Sequence, residues 1–227
     1  MKAIYYGHSC VRLTAIDFDL LFDPFITPNP LASHVDVSEI NPEYIFLSHA
    51  HEDHVADLAR IQKQSGARVV SIVETAAWVA REGVDQDKIM EMNFGGTIKT
   101  DFGSAKMVYA LHTNSTPDGQ YGGVPVGYVL TVGEQKIYFA GDTALTQEMK
   151  TLEGMGLDWA FLPIGGHYTM DVGDAMRATD WLGVKQIIGI HYDTFPPIKI
   201  DHDQAIHQFA QAGFRLHLPK IGEEILL

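Results

Sequence analysis

The chain has 227 residues, 46% of them apolar, and 29 acidic against 16 basic side chains give a formal charge of −13. This apolar content suffices for a large core, while the negative charge, without any basic cluster, disfavours the cationic surface that tight nucleic-acid binding requires. A lone cysteine excludes an internal disulfide, and no run approaches the roughly 18 apolar residues of a membrane span. We expect one domain over residues 1–227, in the cytoplasm, with a small-molecule substrate and no nucleic-acid or membrane partner.

Strand-like and helix-like stretches alternate along the chain, which is typical of an α/β fold. Strands are expected at about residues 2–6, 9–15, 18–23, 44–48, 67–73, 104–112, 126–132, 136–141, 159–164, 186–190 and 214–218. Helices are expected at about residues 55–65, 74–82, 145–153, 172–182 and 202–212, with Asp171 and Asp201 capping the last two. Residues 24–42 contain four prolines and predict a long loop.

The most informative segment is the hexapeptide His49-Ala50-His51-Glu52-Asp53-His54. Three imidazoles and a carboxylate in six positions would each need a polar partner inside a core, whereas together they suit a divalent metal ion. A strand-like run precedes the hexapeptide and a helix-like run follows it. In extended backbone His49 and His51 project to the same side, so they can bind one ion together. Asp53 and His54 open the helix and remain available to a second ion.

Three further ligand-type residues each follow an apolar strand. His112 ends the stretch 104–111, Asp142 the stretch 136–141 and His191 the stretch 186–190. The carboxyl ends of strands are where α/β folds collect their chemistry. The candidate metal ligands are therefore His49, His51, Asp53, His54, His112, Asp142 and His191.

The order HxHxDH, then His, Asp and His, resembles the metallo-β-lactamase superfamily over nearly the whole chain. The resemblance implies an αββα sandwich, in which two mixed β-sheets are flanked by helices. It also implies two metal ions, the first bound by His49, His51 and His112 and the second by Asp53, His54 and His191, with Asp142 bridging both. The segments Gly7-His8-Ser9, Asp23-Pro24 and 163–168 are similar to the branch that contains ascorbate-6-phosphate lactonase.

The implied chemistry is hydrolysis with two divalent ions per chain, for which zinc is the first choice and manganese, nickel or iron are alternatives. A hydroxide bridging the ions would attack a carbonyl or phosphoryl centre, because a bound metal lowers the pKa of water from about 15.7 to about 7. The charge of two ions exceeds that of Asp53, Asp142 and the hydroxide. We therefore expect a small anionic ester, lactone or phosphodiester as substrate.

Four residues outside the ligand set are also candidates for the site. We expect His8 and Tyr192 to contact substrate, and Asp23 to orient a ligand histidine. His167 follows two glycines whose backbone can approach a ligand closely, so we expect it to bind substrate and to act in catalysis alongside Asp53 and Asp142.

Alternatives of other classes remain open. An iron-dependent redox protein could use the same ligands, although the sequence shows no flavin domain as an electron source. A nuclease-type phosphodiesterase is disfavoured by the acidic composition, and a non-catalytic metal-binding module is disfavoured because no ligand is missing. Assembly into a homo-oligomer stays open.

Overall fold

Two seven-stranded sheets form the centre of the computed structural model, which describes residues 1–15 and 17–227. In chain order the strands are β1 (Lys2–Gly7), β2 (Cys10–Thr14), β3 (Asp19–Phe22), β4 (Tyr44–Phe46), β5 (Arg68–Ile72), β6 (Ile89–Met92), β7 (Thr97–Thr100), β8 (Gly103–Tyr109), β9 (Val126–Val132), β10 (Gln135–Phe139), β11 (Trp159–Pro163), β12 (Gln186–Ile190), β13 (Arg215–His217) and β14 (Glu224–Leu226). The helices are α1 (Glu52–Val55), α2 (Leu58–Ser65), α3 (Val73–Arg81), α4 (Val172–Leu182) and α5 (His202–Gln211).

Both sheets are mixed. The first has the order β14-β1-β2-β3-β4-β5-β6 and the second β13-β12-β11-β10-β9-β8-β7. Strands β3 to β6 pair in parallel, as do β10 to β13, and the other pairs are antiparallel. The chain segments that follow β4, β8, β10 and β12 meet at one end of the sandwich, where they carry the candidate ligands.

The sheets pack against each other through a layer of aromatic rings. Phe22 of β3 and Phe139 of β10 stack with ring centroids 4.4 Å apart, and Phe46 of β4 meets Tyr128 of β9 at 5.1 Å. The Tyr128 hydroxyl donates a hydrogen bond to the Leu47 carbonyl at 2.7 Å, which ties the sheets together beside the hexapeptide. Such pairs add to the stability that apolar burial provides.

Helices cover the outer faces of the sheets. On the first sheet, Ile45 and Val69 pack with Leu58 and Ile61 of α2 and with Trp78 of α3. On the second sheet, α4 lies against β11 and α5 against β13. The predicted αββα sandwich is therefore confirmed.

The expected helix over 55–65 is broken in two at Asp57, and the break anchors the proline-rich loop. The Asp57 carboxylate accepts hydrogen bonds from the amides of Ile26 at 2.7 Å and Thr27 at 2.8 Å, and its own amide donates to the Pro24 carbonyl. These contacts hold the start of the 24–42 loop against the junction of α1 and α2. The expected helix over 145–153 is a 3₁₀ turn, Gln147–Leu152.

Three short strands, β6, β7 and β14, are not predicted by the sequence. Each lies at the edge of a sheet, and Glu91, Lys99 and Glu224 interrupt their apolar pattern on exposed positions. Edge strands often carry such charges because they discourage pairing with other chains. Among residues 1–15 and 17–227, no helix has the length and apolar character needed to cross a membrane.

Candidate metal centre

The ends of four strands deliver the candidate ligands. His49 and His51 lie in extended backbone after β4, while Asp53 and His54 belong to α1. His112 follows β8, Asp142 follows β10 and His191 directly follows β12. The approach of β10 to the hexapeptide requires a glycine at position 141, which has φ +59° and where a Cβ would lie 2.5 Å from the Ser48 Cβ.

Three histidines form the first cluster. One nitrogen from each of His49, His51 and His112 lies within 4.8 Å of the others, and His49 Nε2 is 2.9 Å from His51 Nδ1. Burial, with His54 nearby, holds the pKa of His49 well below its ordinary value, and burial also lowers the pKa of His51 and of His112. All three rings are therefore neutral at neutral pH, the state in which imidazole binds metal.

The second cluster contains Asp53, His54 and His191 together with His8, again with one ligand atom of each within 4.8 Å of the others. His54 is fully buried. Burial alone would lower the pKa of His54, but the carboxylates of Asp142 and Asp23 raise it well above the ordinary value. The surroundings of this ring thus favour a positive charge.

Asp142 lies between the two clusters. Its Oδ2 is 2.9 Å from His191 Nε2, 3.3 Å from His54 Nε2 and 3.7 Å from His112 Nε2. Burial would raise the pKa of Asp142, but His191 and His54 hold it well below the usual range. The carboxylate is therefore ionised and in reach of ligands from both clusters.

A free nitrogen tests whether the site suits a metal. Among the residues described, the buried His54 Nε2 makes no hydrogen bond, although Asp142 Oδ2 lies only 3.3 Å away. Buried polar atoms without partners are rare and call for an explanation. Zinc ligands bind at roughly 2.0–2.2 Å, so atoms grouped as closely as these can converge on an ion with small movements. The donor set, histidine and carboxylate, fits a divalent metal ion.

The family follows from comparison with known proteins. A model of the β-lactamase superfamily domain matches residues 19–192. Over 228 residues that span all of both chains, the protein is 43% identical to a UPF0173 metal-dependent hydrolase of Methylacidiphilum infernorum. The chain belongs to the metallo-β-lactamase superfamily, among its metal-dependent hydrolases.

Solved structures of the superfamily agree with the observed fold. The metallo hydrolase Igni18 of Ignicoccus hospitalis is 32% identical, with a TM-score of 0.88 over 99% of this chain and 97% of that chain. An isothiocyanate hydrolase from Delia radicum gut bacteria is 17% identical, with a TM-score of 0.79 over 100% of this chain and 99% of that one. At such low identity the second likeness concerns the fold alone.

Asp23 and Ser48 contact the Nδ1 atoms of the candidate ligands His54 and His49. Asp23 Oδ2 accepts hydrogen bonds from His54 Nδ1 at 2.9 Å and from the Ser48 hydroxyl at 2.6 Å. Because that hydroxyl donates to Asp23, the His49 Nδ1–H donates to Ser48 Oγ at 2.9 Å. In the neutral rings that metal binding requires, these contacts place the proton on Nδ1 and leave Nε2 for an ion. The role of Asp23 in orienting a ligand histidine stays a prediction.

The remaining predicted site residues lie in different surroundings. His8 is fully buried in the second cluster, whereas Tyr192 is 5% exposed and stacks on Tyr5 with ring centroids 5.8 Å apart. His167 is exposed and outside both clusters in the part of the chain that the structure describes. Two contacts hold the turn that carries His167. The Met170 amide donates a hydrogen bond to the Thr143 carbonyl, and Gly165 lies against the His191 carbonyl. Contact of these three residues with substrate stays a prediction.

Two supporting residues have no signal in the sequence. Asn114 accepts a hydrogen bond from the Ala50 amide at 2.9 Å and donates to the Gly122 carbonyl at 2.7 Å, so it ties the 113–125 loop to the hexapeptide. Thr194 contacts the ring of His8 at 3.0 Å. No spacing signal identifies either residue, because each contact depends on the path of an irregular loop.

The centre opens to solvent on one side. The side chains of Asp53 and His112 are 30% and 15% exposed, whereas those of Asp142 and His191 are at most 3% exposed. The open side of the centre is therefore the side formed by Asp53 and His112.

Proposed function

We propose that the protein is a dinuclear hydrolase of small anionic esters, lactones or phosphodiesters. In this proposal the first ion is bound by His49, His51 and His112 and the second by Asp53, His54 and His191, with Asp142 shared. The observation that carries this proposal is the position of Asp142. One of its carboxylate oxygens, Oδ2, lies within 3.7 Å of histidines from both clusters. Zinc is the first choice of ion, with manganese, nickel and iron as alternatives.

When bound, the ions would supply an activated water and a Lewis acid. The chain's own residues hold and orient the reacting groups. Asp23 and Ser48 keep the Nε2 atoms of His54 and His49 available, and Asp142 stays ionised. Asp53, at the solvent side, is placed to orient the attacking water. His167, on a turn fixed at both sides of the site, would contact the charge that develops on the substrate.

Charge supports the choice of an anionic substrate. The surface is acidic overall, with a formal charge of −13. Two divalent ions would more than neutralise Asp53 and Asp142, so the centre would have a local positive charge within a negatively charged surface. The lone cysteine, Cys10, and the lack of a basic cluster agree with a cytoplasmic enzyme of small molecules.

Hydrolysis assays with a chemically diverse panel of substrates test the proposal. Metal-free protein is reconstituted with Zn²⁺ or Mn²⁺ and assayed with lactones, phosphodiesters and thioesters. Activity that requires metal, saturates with substrate and disappears in Asp142→Asn supports the proposal. Asp87→Asn, which changes an exposed aspartate, is the matched control and should keep full activity. A turnover that survives Asp142→Asn would refute the two-ion assignment.

The identity of the native metal distinguishes hydrolysis from the rival redox function. Protein purified without added metal should be colourless if it holds zinc, whereas ferric ions absorb visible light. An intensely coloured protein that consumes dioxygen in the presence of a reductant and hydrolyses no panel compound would favour the redox alternative.

A further inference from the structure

His8 joins the second cluster, and its ring nitrogens indicate its role there. Nε2 lies 3.1 Å from Asp53 Oδ2, and Nδ1 lies 3.0 Å from Thr194 Oγ1. By contrast, His54 Nε2 makes no hydrogen bond to any residue that the structure describes. The partner of His8 Nε2 is a carboxylate, which can only accept, so this nitrogen carries the ring proton, whereas His49 Nε2 lies against another candidate ligand, His51. His8 is thus arranged to support a ligand.

The partners of His8 also determine which nitrogen carries the proton. An ionised Asp53 can only accept a hydrogen bond, so His8 Nε2–H donates to it. Nδ1 is then an acceptor, and the Thr194 hydroxyl donates to it at 3.0 Å in preference to the Tyr192 carbonyl at 3.4 Å. Hydrogen bonds therefore run in one direction, from Thr194 through His8 to Asp53.

The backbone and neighbours of His8 hold this ring in place. His8 has φ +54°, a conformation that costs energy for a non-glycine residue and persists only where surrounding contacts fix it. Its carbonyl accepts hydrogen bonds from the His191 amide at 2.7 Å and from the Tyr5 hydroxyl at 3.2 Å. Phe25 and Phe195 flank the ring with centroids 5.4 and 5.5 Å away.

Asp53 needs such support more than the other carboxylate of the centre. Its side chain is 30% exposed and belongs to α1, a helix of only four residues, whereas Asp142 is buried. Without a partner, the Asp53 carboxylate could rotate toward water. The contact from His8 fixes one oxygen and leaves the other for an ion.

We propose that His8 is a positioning residue for the second metal ion, acting by donating the hydrogen bond of its Nε2–H to Asp53, with Thr194 holding the required tautomer. The proposal rests on the proposed assignment of Asp53 to the second ion. Supporting residues of this kind typically change metal affinity by about 10–100-fold when they are replaced.

Zinc titration of matched variants tests the proposal. Metal-free parent, His8→Asn and His8→Gln are titrated with Zn²⁺ in competition with a chromophoric chelator, so that the two dissociation constants are measured separately. Asparagine tolerates the left-handed backbone but is too short to reach Asp53, whereas glutamine has an amide donor at about the reach of Nε2. Thermal unfolding of each metal-free variant shows that it is folded.

We expect His8→Asn to weaken binding of the second ion about 10–100-fold, with little change in the affinity for the first ion. His8→Gln should restore most of the lost affinity. Thr194→Val should weaken the second ion several-fold, while Thr194→Ser, which keeps the hydroxyl, should match the parent. The absorption spectrum of Co²⁺ in the second site should change in His8→Asn and return in His8→Gln.

Three results would overturn parts of the account, and they are distinguishable. A parent that binds only one ion contradicts the proposed dinuclear function itself. A parent with two ions and a His8→Asn variant of equal affinity contradicts the positioning role. Complete loss of the second ion in His8→Asn and His8→Gln alike makes His8 a ligand.

Discussion

Asp23→Asn isolates the effect of a single buried acceptor. Asparagine has nearly the same shape and tolerates the left-handed backbone of this position, where φ is +43°. The aspartate Oδ2 accepts from His54 Nδ1 at 2.9 Å and from the Ser48 hydroxyl at 2.6 Å. Oδ1 accepts from the Ser48 amide at 2.7 Å, a backbone donor that cannot reorient, so the asparagine nitrogen takes the place of Oδ2 and faces two donors. His54 can relieve the conflict by moving its proton to Nε2, the nitrogen that would bind the ion.

The magnitude follows from the hydrogen bond that is lost. A hydrogen bond to a charged group contributes roughly 1.5–3 kcal/mol, and each 1.4 kcal/mol corresponds to about tenfold in an equilibrium constant. Asp23→Asn should therefore lower the affinity for the second ion by about 10–100-fold, in agreement with the range found for residues that orient metal ligands. Competition with a chromophoric chelator measures this affinity directly.

Ser48→Ala is the matched comparison. It removes the hydroxyl between Asp23 and His49 but leaves the contact of Asp23 with His54 intact. Ser48→Ala should lower the affinity for the first ion, and by less than Asp23→Asn lowers the affinity for the second. Equal affinity of Asp23→Asn and the parent for both ions would refute the reasoning that Asp23 sets the tautomer of His54.

Three further substitutions have specific expected outcomes. Asp142→Ala should abolish hydrolysis yet give a far-ultraviolet circular dichroism spectrum like that of the parent, and retained turnover would contradict a shared carboxylate. His167→Ala should keep the full metal content and lower kcat/KM by about 10²–10⁴, with the exposed His207→Ala as control; loss of one metal equivalent would instead make His167 a ligand. Gly165→Ala should lower Tm by about 2–12 °C, because its Cβ would lie 2.2 Å from the His191 carbonyl and overpacking costs about 1–3 kcal/mol, whereas Gly173→Ala in α4 should not lower Tm.

The sequence predicts which candidate ligands lie close together better than it predicts their surroundings, for a physical reason. The four candidates of the hexapeptide are close in sequence, and His112, Asp142 and His191 each follow a strand, so local pattern and strand direction suffice to bring them together. The bounds of α4 match the prediction, since Asp171 caps its start and Gly183 ends it in a left-handed conformation. These features depend on short-range chemistry that a sequence displays.

Other parts of the centre depend on long-range packing that the sequence does not display. His8 reaches Asp53 across 45 residues, and Thr194 reaches His8 across 186. His8 has a left-handed backbone, with φ +54°, and so do His191 and Asp193, which lie just before Thr194 in the chain. Such conformations are uncommon and have no reliable sequence signal. The break at Asp57 is similar, because a local helical pattern gives way to contacts with a distant loop.

The number of ions per chain tests the central claim most directly. Elemental analysis and native mass spectrometry of the parent, fully reconstituted with Zn²⁺ and freed of excess metal, should both give about two ions per chain. Asp142→Asn, treated in the same way, should fall below two. A parent that reaches a ceiling at one ion, whatever the Zn²⁺ concentration, would contradict a dinuclear centre.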